Sequence, residues 1–217
     1  MPDFYRYPKD GKFHTRYSEL VRCSNDKQAI KIAELRAGVA IPRSNSQMDF
    51  GKQRHEMFKE ESLKTGKTPQ VFKDNLGFQL KVVDVEMHKA TELFEDVVIH
   101  FTTDAFCKPA DVVDYKTTSS NGFSYSQTPQ GMLYALLMIG QGYDPKKVHY
   151  LIERWDRERT QVLKYYHFEK KVTLRELSRV KKWCKQRVEL LWAAQDLVAE
   201  NNPRLTDNGS LDILSVY

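Results

Sequence analysis

The stretch Asp-Val-Val-Asp-Tyr-Lys-Thr at 111 to 117, followed by Thr118, constrains the fold more than any other. Valines at its start and a threonine at its end predict a strand that is buried first and charged later. Strand side chains alternate with a period of two, so Asp114 and Lys116 point to one face. A buried strand ending in charged groups suits a site better than a solvated edge does. A solvent face carrying an Asp–Lys pair explains the same triplet without any ligand.

Asp104 precedes Asp114 by ten residues on another predicted strand, and Lys108-Pro109-Ala110 forms a tight connection between the two. Such a hairpin brings Asp104 beside Asp114. Two carboxylates on one face repel each other and lose hydration unless a cation lies between them. A hard divalent ion with oxygen ligands, Mg²⁺ or Mn²⁺, meets that need and leaves room for a phosphate. Lys116 would orient water or meet developing negative charge.

Around this pair the pattern alternates between helix and strand. Helices are predicted over 18 to 37, ending at Gly38, and over 47 to 64, capped by Asn45 or Ser46 and ending at Gly66; the segment 40 to 46 reads as a loop. Strands follow over 78 to 88, 95 to 107 and 111 to 117, then a helix over 126 to 140. Two further strands, 147 to 155 and 161 to 168, flank the turn Asp156-Arg157-Glu158-Arg159. A long amphipathic helix over 173 to 200 opens with Thr173 and Glu176 in capping-box spacing, and Pro203 follows it. Its inner side is read as Leu174, Leu177, Trp183 and Val188, with the basic run 175 to 187 solvated. The order is ααβββαββα: an α/β chain with a mixed central sheet flanked by helices. No linker divides it, so one domain is expected over 1–217, with a helical part (1–70), a sheet core (71–170) and a C-terminal helix and tail (171–217).

The three cysteines, Cys23, Cys107 and Cys184, are odd in number and widely spaced, which argues against a disulfide framework and for a reduced, intracellular setting. No segment is apolar enough to span a bilayer, and residues 1 to 11 lack a signal-peptide pattern. The formal net charge of +5 suits a phosphate-bearing partner.

Asp104 followed by Asp114-Tyr115-Lys116-Thr117-Thr118 resembles the D-x(n)-(D/E)-x-K signature of the PD-(D/E)XK nucleases, and Asp-Tyr-Lys-Thr is typical of their RecB-like branch. Three further segments are similar to that branch, in the same order: Gly51-Lys52-Gln53-Arg54-His55 to its Gly-x-x-x-His helix, Glu86 to a glutamate on the preceding strand, and Gln130-Gly131-Met132-Leu133-Tyr134 to its Q-x-x-x-Y helix. The resemblance covers about residues 18 to 170. It departs at Thr102-Thr103, where the family usually has a glycine before the aspartate. It implies a restriction-endonuclease-like core, with His55, Asp104, Asp114 and the Tyr115 carbonyl as metal ligands. Glu86 would join Asp104, Asp114 and Lys116 in catalysis, with Lys116 as the catalytic lysine. Gln130 and Tyr134 would contact DNA or support the site. Some relatives hold an iron–sulfur cluster on four cysteines; three cannot supply four ligands, so none is expected here.

Basic and aromatic residues mix near the N-terminus: Lys9, Lys12, Arg16 and Arg22 with Phe4, Tyr5, Tyr7, Phe13 and Tyr17. Phosphate pairing and base stacking on such a segment suit DNA, either single-stranded or at duplex ends; an aromatic anchor holding the N-terminus is the alternative. The expected function is a Mg²⁺-dependent deoxyribonuclease, an exonuclease or end-processing enzyme in which metal-activated water attacks phosphorus in line and leaves a 5′-phosphate. The alternatives are a non-catalytic nucleic-acid-binding or assembly subunit of the same fold, and a structure- or site-specific endonuclease. A small stand-alone nuclease of this kind is at home on a phage, on a plasmid or in a repair operon.

Overall fold

A computed structural model describes residues 10–38, 46–120 and 122–202 of the chain. It begins with a strand, β1 (Phe13–Arg16), which sequence periodicity misses because the segment is so short. A single turn, α1 (Tyr17–Leu20), and then α2 (Asp26–Arg36) replace the unbroken helix expected over 18 to 37. Asn25 causes the break: its backbone is extended and its side chain accepts the Gln28 amide, so the helix restarts from a new cap. Gly38 then takes the left-handed φ of 72° that its place after a helix predicts. α3 (Ser46–Thr65) covers the next predicted helix, while the preceding loop and Asn45 lie outside the described residues.

A further helix, α4 (Gln70–Leu76), stands where no element is expected. β2 (Val82–Phe94) starts later than predicted and runs on further. β3 (Val97–Cys107) and β4 (Asp111–Thr118) fall where the sequence places them. The helix predicted over 126 to 140 is α6 (Gln130–Gly140), which starts later than expected, and a separate turn, α5 (Phe123–Ser126), precedes it. β5 (Lys147–Trp155), β6 (Val162–Lys171) and α7 (Leu174–Glu200) complete the described chain, and Thr173 Oγ1 accepts the Glu176 amide as the cap predicts. The mixed α/β architecture is therefore present, with β1, α4 and α5 added and one predicted helix divided.

By Cα proximity the chain forms two compact units. One comprises the described residues of Ser44–Lys89 and Phe101–Val180. In it β3 pairs antiparallel with β4, β4 parallel with β5, and β5 antiparallel with β6. Parallel neighbours need a crossover, which α6 supplies between β4 and β5. One face of this sheet packs an aromatic core: Tyr115 lies between Phe58 of α3, 5.2 Å away, and Phe72 of α4, stacked at 6.1 Å. Ala105, Cys107, Val113 and Leu151 share that core. The opposite face carries α6. Gly131 allows its close approach, since a Cβ there would lie 2.7 Å from the Tyr150 hydroxyl.

The other unit comprises the described residues of Met1–Arg43, Ala90–His100 and Lys181–Tyr217. There β1 runs parallel to the first residues of β3, Phe13 beside Val97 through Arg16 beside His100. Phe13 stacks on Trp192 at 4.9 Å. Along the α7 residues of this unit the buried positions are Cys184, Val188, Leu191, Ala194, Val198 and Ala199, whereas Leu174, in the first unit, is 84% exposed. The inner line read from the sequence is thus right at Val188 and wrong at Leu174, which precedes the packed part of the helix.

Candidate active site

The β3–β4 ladder builds the site. Ala105 pairs with Val113, Phe106 with Val112 and Cys107 with Asp111. Asp104 adjoins Ala105 and Asp114 adjoins Val113 on their strands, so side-chain alternation turns both to the face opposite that pair. Here a side chain takes over from the backbone: the Tyr115 amide donates to Asp104 Oδ2 at 2.6 Å. Asp114 is fully buried, and Lys116 Nζ lies 2.7 Å from its Oδ1. α3 brings His55 Nδ1 to 3.6 Å from Asp104 Oδ1. The structure therefore gathers four of the residues singled out in the sequence, His55, Asp104, Asp114 and Lys116.

Their electrostatics differ. Burial, helped by the charge of Asp104, pushes the Asp114 carboxyl up to about 6 although Lys116 pulls the other way. Burial also works against ionisation of Asp104, but His55, Lys116 and the Tyr115 amide outweigh it and hold this carboxyl below its ordinary value. Desolvation disfavours the His55 cation, yet Asp104 beside it raises the imidazole above its usual range. Lys116 is likewise raised, because Asp114 and Asp104 override its burial. Two acids thus face two bases, an arrangement that side chains alone partly balance.

Asp114 Oδ2 is buried with no hydrogen-bond partner among the described residues. Other buried atoms, Thr103 Oγ1 and Gln195 Oε1 among them, share that condition; Asp114 Oδ2 differs in lying beside a second acid and a lysine. No three His, Cys, Asp or Glu side chains among the described residues are grouped to hold a metal by themselves. The donor set still fits Mg²⁺, which typically takes one or two carboxylates together with water and substrate phosphate.

The other predicted residues are placed as follows. Gln130 Nε2 donates to the Tyr134 hydroxyl at 2.9 Å, one turn along α6. Burial raises the Tyr134 hydroxyl, as do the charges of Asp114 and Asp104, so it lies in the field of the acids. Glu86 pairs with α3: its carboxylate meets Lys59 at 2.9 Å, and its backbone takes a left-handed φ of 47°. Lys59 is one helical turn beyond His55, so Glu86 is drawn to α3 at the next turn. Arg16 and Arg22 belong to the other compact unit. Arg16 lies 4.0 Å from Glu19, Arg22 is exposed in a turn, and Lys12 pairs with Glu92. Phe4, Tyr5, Tyr7 and Lys9 lie outside the described residues.

Sequence reading misses a buried ion pair beside the site. Arg54, next to His55, grips the fully buried Glu153 through Nε at 2.9 Å and Nη2 at 2.6 Å. The signal is an acid within the apolar run Tyr150-Leu151-Ile152-Glu153, which requires a partner. Cys23, Cys107 and Cys184 are buried free thiols, pushed by burial to about 11, 12 and 12. Among the described residues no helix is long and apolar enough to cross a membrane.

No protein-family model and no curated protein matches the chain. Solved structures do. The structure of LHK-Exo in complex with dAMP matches with a TM-score of 0.53 over 90% of this chain and 95% of that one, at 10% identity. A second structure of this alkaline exonuclease, from Laribacter hongkongensis, gives 0.50 over the same shares at 10% identity. A candidate exonuclease from Eubacterium rectale gives 0.53 over 86% of this chain and 82% of that one, also at 10% identity. The chain has the fold of these proteins.

Proposed function

We propose that this chain is a metal-dependent DNA nuclease of the RecB-like PD-(D/E)XK type that hydrolyses phosphodiesters at strand ends. One observation carries the reading: Asp104, Asp114 and Lys116 share one face of the β3–β4 ladder, with an unsatisfied carboxylate oxygen buried among them. The fold similarity to an alkaline exonuclease, one structure of which is in complex with dAMP, supports it.

Asp104 and Asp114 would hold a divalent ion, with His55 and the Tyr115 carbonyl as further ligands. When bound, the ion would supply Lewis acidity to the phosphoryl group and lower the pKa of water. The residues of the chain contribute the rest. Asp114 holds Lys116 in place at 2.7 Å, so the ammonium meets negative charge on the phosphate without reorganising. The Tyr115 amide fixes Asp104, and Gln130 fixes the Tyr134 hydroxyl toward the acids. Burial strengthens each of these interactions.

End-labelled linear DNA and covalently closed circular DNA, each incubated with the protein and Mg²⁺ or Mn²⁺, test the proposal. Degradation of the linear form from its ends, with the circle intact, is expected. Cleavage of the circle would replace this reading with an endonuclease. DNA binding without turnover of either form would leave only a nucleic-acid-binding subunit.

A further inference from the structure

The strand that carries Lys116 continues into a second feature. A cavity of about 370 Å³ opens beside Thr117 and Thr118 at the end of β4, in the same compact unit as the acids. Phe50 and Trp155 form its aromatic side, edge to face with centroids 5.0 Å apart. The Arg159 guanidinium lies 5.4 Å from the Phe50 ring centre. The rest of the lining includes Thr117, Thr118, Ser119, Ser120 and Tyr125, with the Thr118 and Ser120 hydroxyls bonded to each other at 3.0 Å.

Trp155 is held in place. Its indole N–H donates to Glu153 at 3.1 Å, and Arg54, bound to the same carboxylate, lies 5.2 Å from a Trp155 ring. The buried ion pair that the catalytic proposal leaves unused thus orients an aromatic ring at the mouth of a cavity. A flat ring, a guanidinium and a row of hydroxyls suit a base on an anionic backbone: the ring stacks, the guanidinium meets phosphate, and the hydroxyls bond to either. The volume sits near the lower end of the roughly 300–1,000 Å³ typical of small-ligand sites, which suits one nucleotide rather than a duplex. At about 3.3 Å per residue, Thr118 stands roughly 7 Å along the strand from Lys116.

We propose that this cavity receives one unpaired nucleotide of the substrate strand, its base stacked on Trp155, beside the phosphodiester offered to Asp104, Asp114 and Lys116. The inference rests on the nuclease reading and names its substrate more closely, as a strand with an unpaired nucleotide at the site. A free mononucleotide has the same chemistry, so the test separates the two.

Binding is read by fluorescence anisotropy on Asp114→Asn protein, using labelled single-stranded oligonucleotides that each lack the base at one successive position from the end. Removing the base at one position should weaken binding by about 5- to 150-fold, the worth of one stacked base, and removal elsewhere should matter little. Adding Trp155→Ala should abolish that positional penalty. Trp155→Phe, which keeps a ring, should retain most of it, and Phe50→Ala should reduce it without touching Glu153. Equal binding of every abasic strand, or a penalty that survives Trp155→Ala in folded protein, would overturn the proposal while the nuclease reading stands on wild-type cleavage. Displacement by deoxyadenosine monophosphate with no position-sensitive strand would reassign the cavity to free nucleotides and overturn it too. Failure of wild-type protein to bind or cut any strand would remove both readings.

Discussion

Asp111 and Asp114 lie three residues apart on β4, both buried, and the chain treats them in opposite ways. Asp111 is fully engaged: Oδ1 accepts the Lys147 amide at 3.0 Å, and Oδ2 lies 3.2 Å from His149 Nε2. The chain of contacts runs on from His149 Nδ1 to His167 Nε2 at 3.0 Å, under the ring of Phe78 at 3.7 Å from His167. Asp114 gives one oxygen to Lys116 and leaves the other without a partner among the described residues. Residue type and burial are the same, so neither marks function. Their surroundings do: Asp111 ties β4 to β5 with both oxygens, whereas Asp114 lies beside a second acid and a lysine with one oxygen unpaired among the described residues.

The contrast is broken or sharpened by substituting each acid. Asp114→Asn should lower DNA cleavage by at least about 10²–10³-fold, the usual loss on removing a preorganised electrostatic group, while circular dichroism and thermal melting stay near wild type. Asp111→Ala should do the reverse. It strands the Lys147 amide and His149, so urea unfolding should show a loss of about 1–3 kcal/mol, with cleavage per folded molecule unchanged. Should both variants lose activity and stability alike, the distinction between the two acids is wrong.

Gly131→Ala sharpens the comparison from α6. The added methyl meets Val148 and Tyr150 and should cost about 1–3 kcal/mol in urea unfolding, as overpacking does. Because Gly131 lies between Gln130 and Tyr134, the same variant should also slow cleavage, a double effect that Asp111→Ala lacks.

The smallest effect concerns pH. Burial, and then the charge of His149, push His167 from an ordinary 6.5 down to about 4. Below 6.5 the unfolded chain binds this proton and the folded chain does not, so unfolding becomes more favourable as pH falls. Stability contributed by neutral His167 is therefore present above pH 6.5 and is lost toward 4. Thermal melting across that window should show wild type falling more steeply than His167→Gln; parallel curves would remove His167 from the account. Lys147, Glu169, His149 and Asp111 surround this histidine and are the same in both proteins.

The comparison also shows what the sequence could and could not yield. Period-two alternation and turn residues were enough to place β3, β4, β5 and the Asp114/Lys116 face, because these are local properties. α4 escaped because Gln70 to Leu76 is too short for a helical pattern to emerge. β1 escaped because its partner lies more than eighty positions away, at Val97 to His100. The same distance problem hid the Arg54–Glu153 pair and the Asp111–His149 contact, since no spacing rule reaches across 99 or 38 positions. Glu86 adds a further case: its place in the chain order suited a role beside the acids, and no spacing rule announced its ion pair with Lys59, one turn past His55.

The most direct test is cleavage of end-labelled linear DNA by wild-type protein across a Mg²⁺ titration, with Asp104→Asn and Asp114→Asn alongside. Activity that rises with the cation, vanishes with chelator and is lost in both variants is the predicted result. Cleavage that persists in chelator, or that survives in either variant, would contradict the claim that these two carboxylates form a cation-dependent hydrolytic centre.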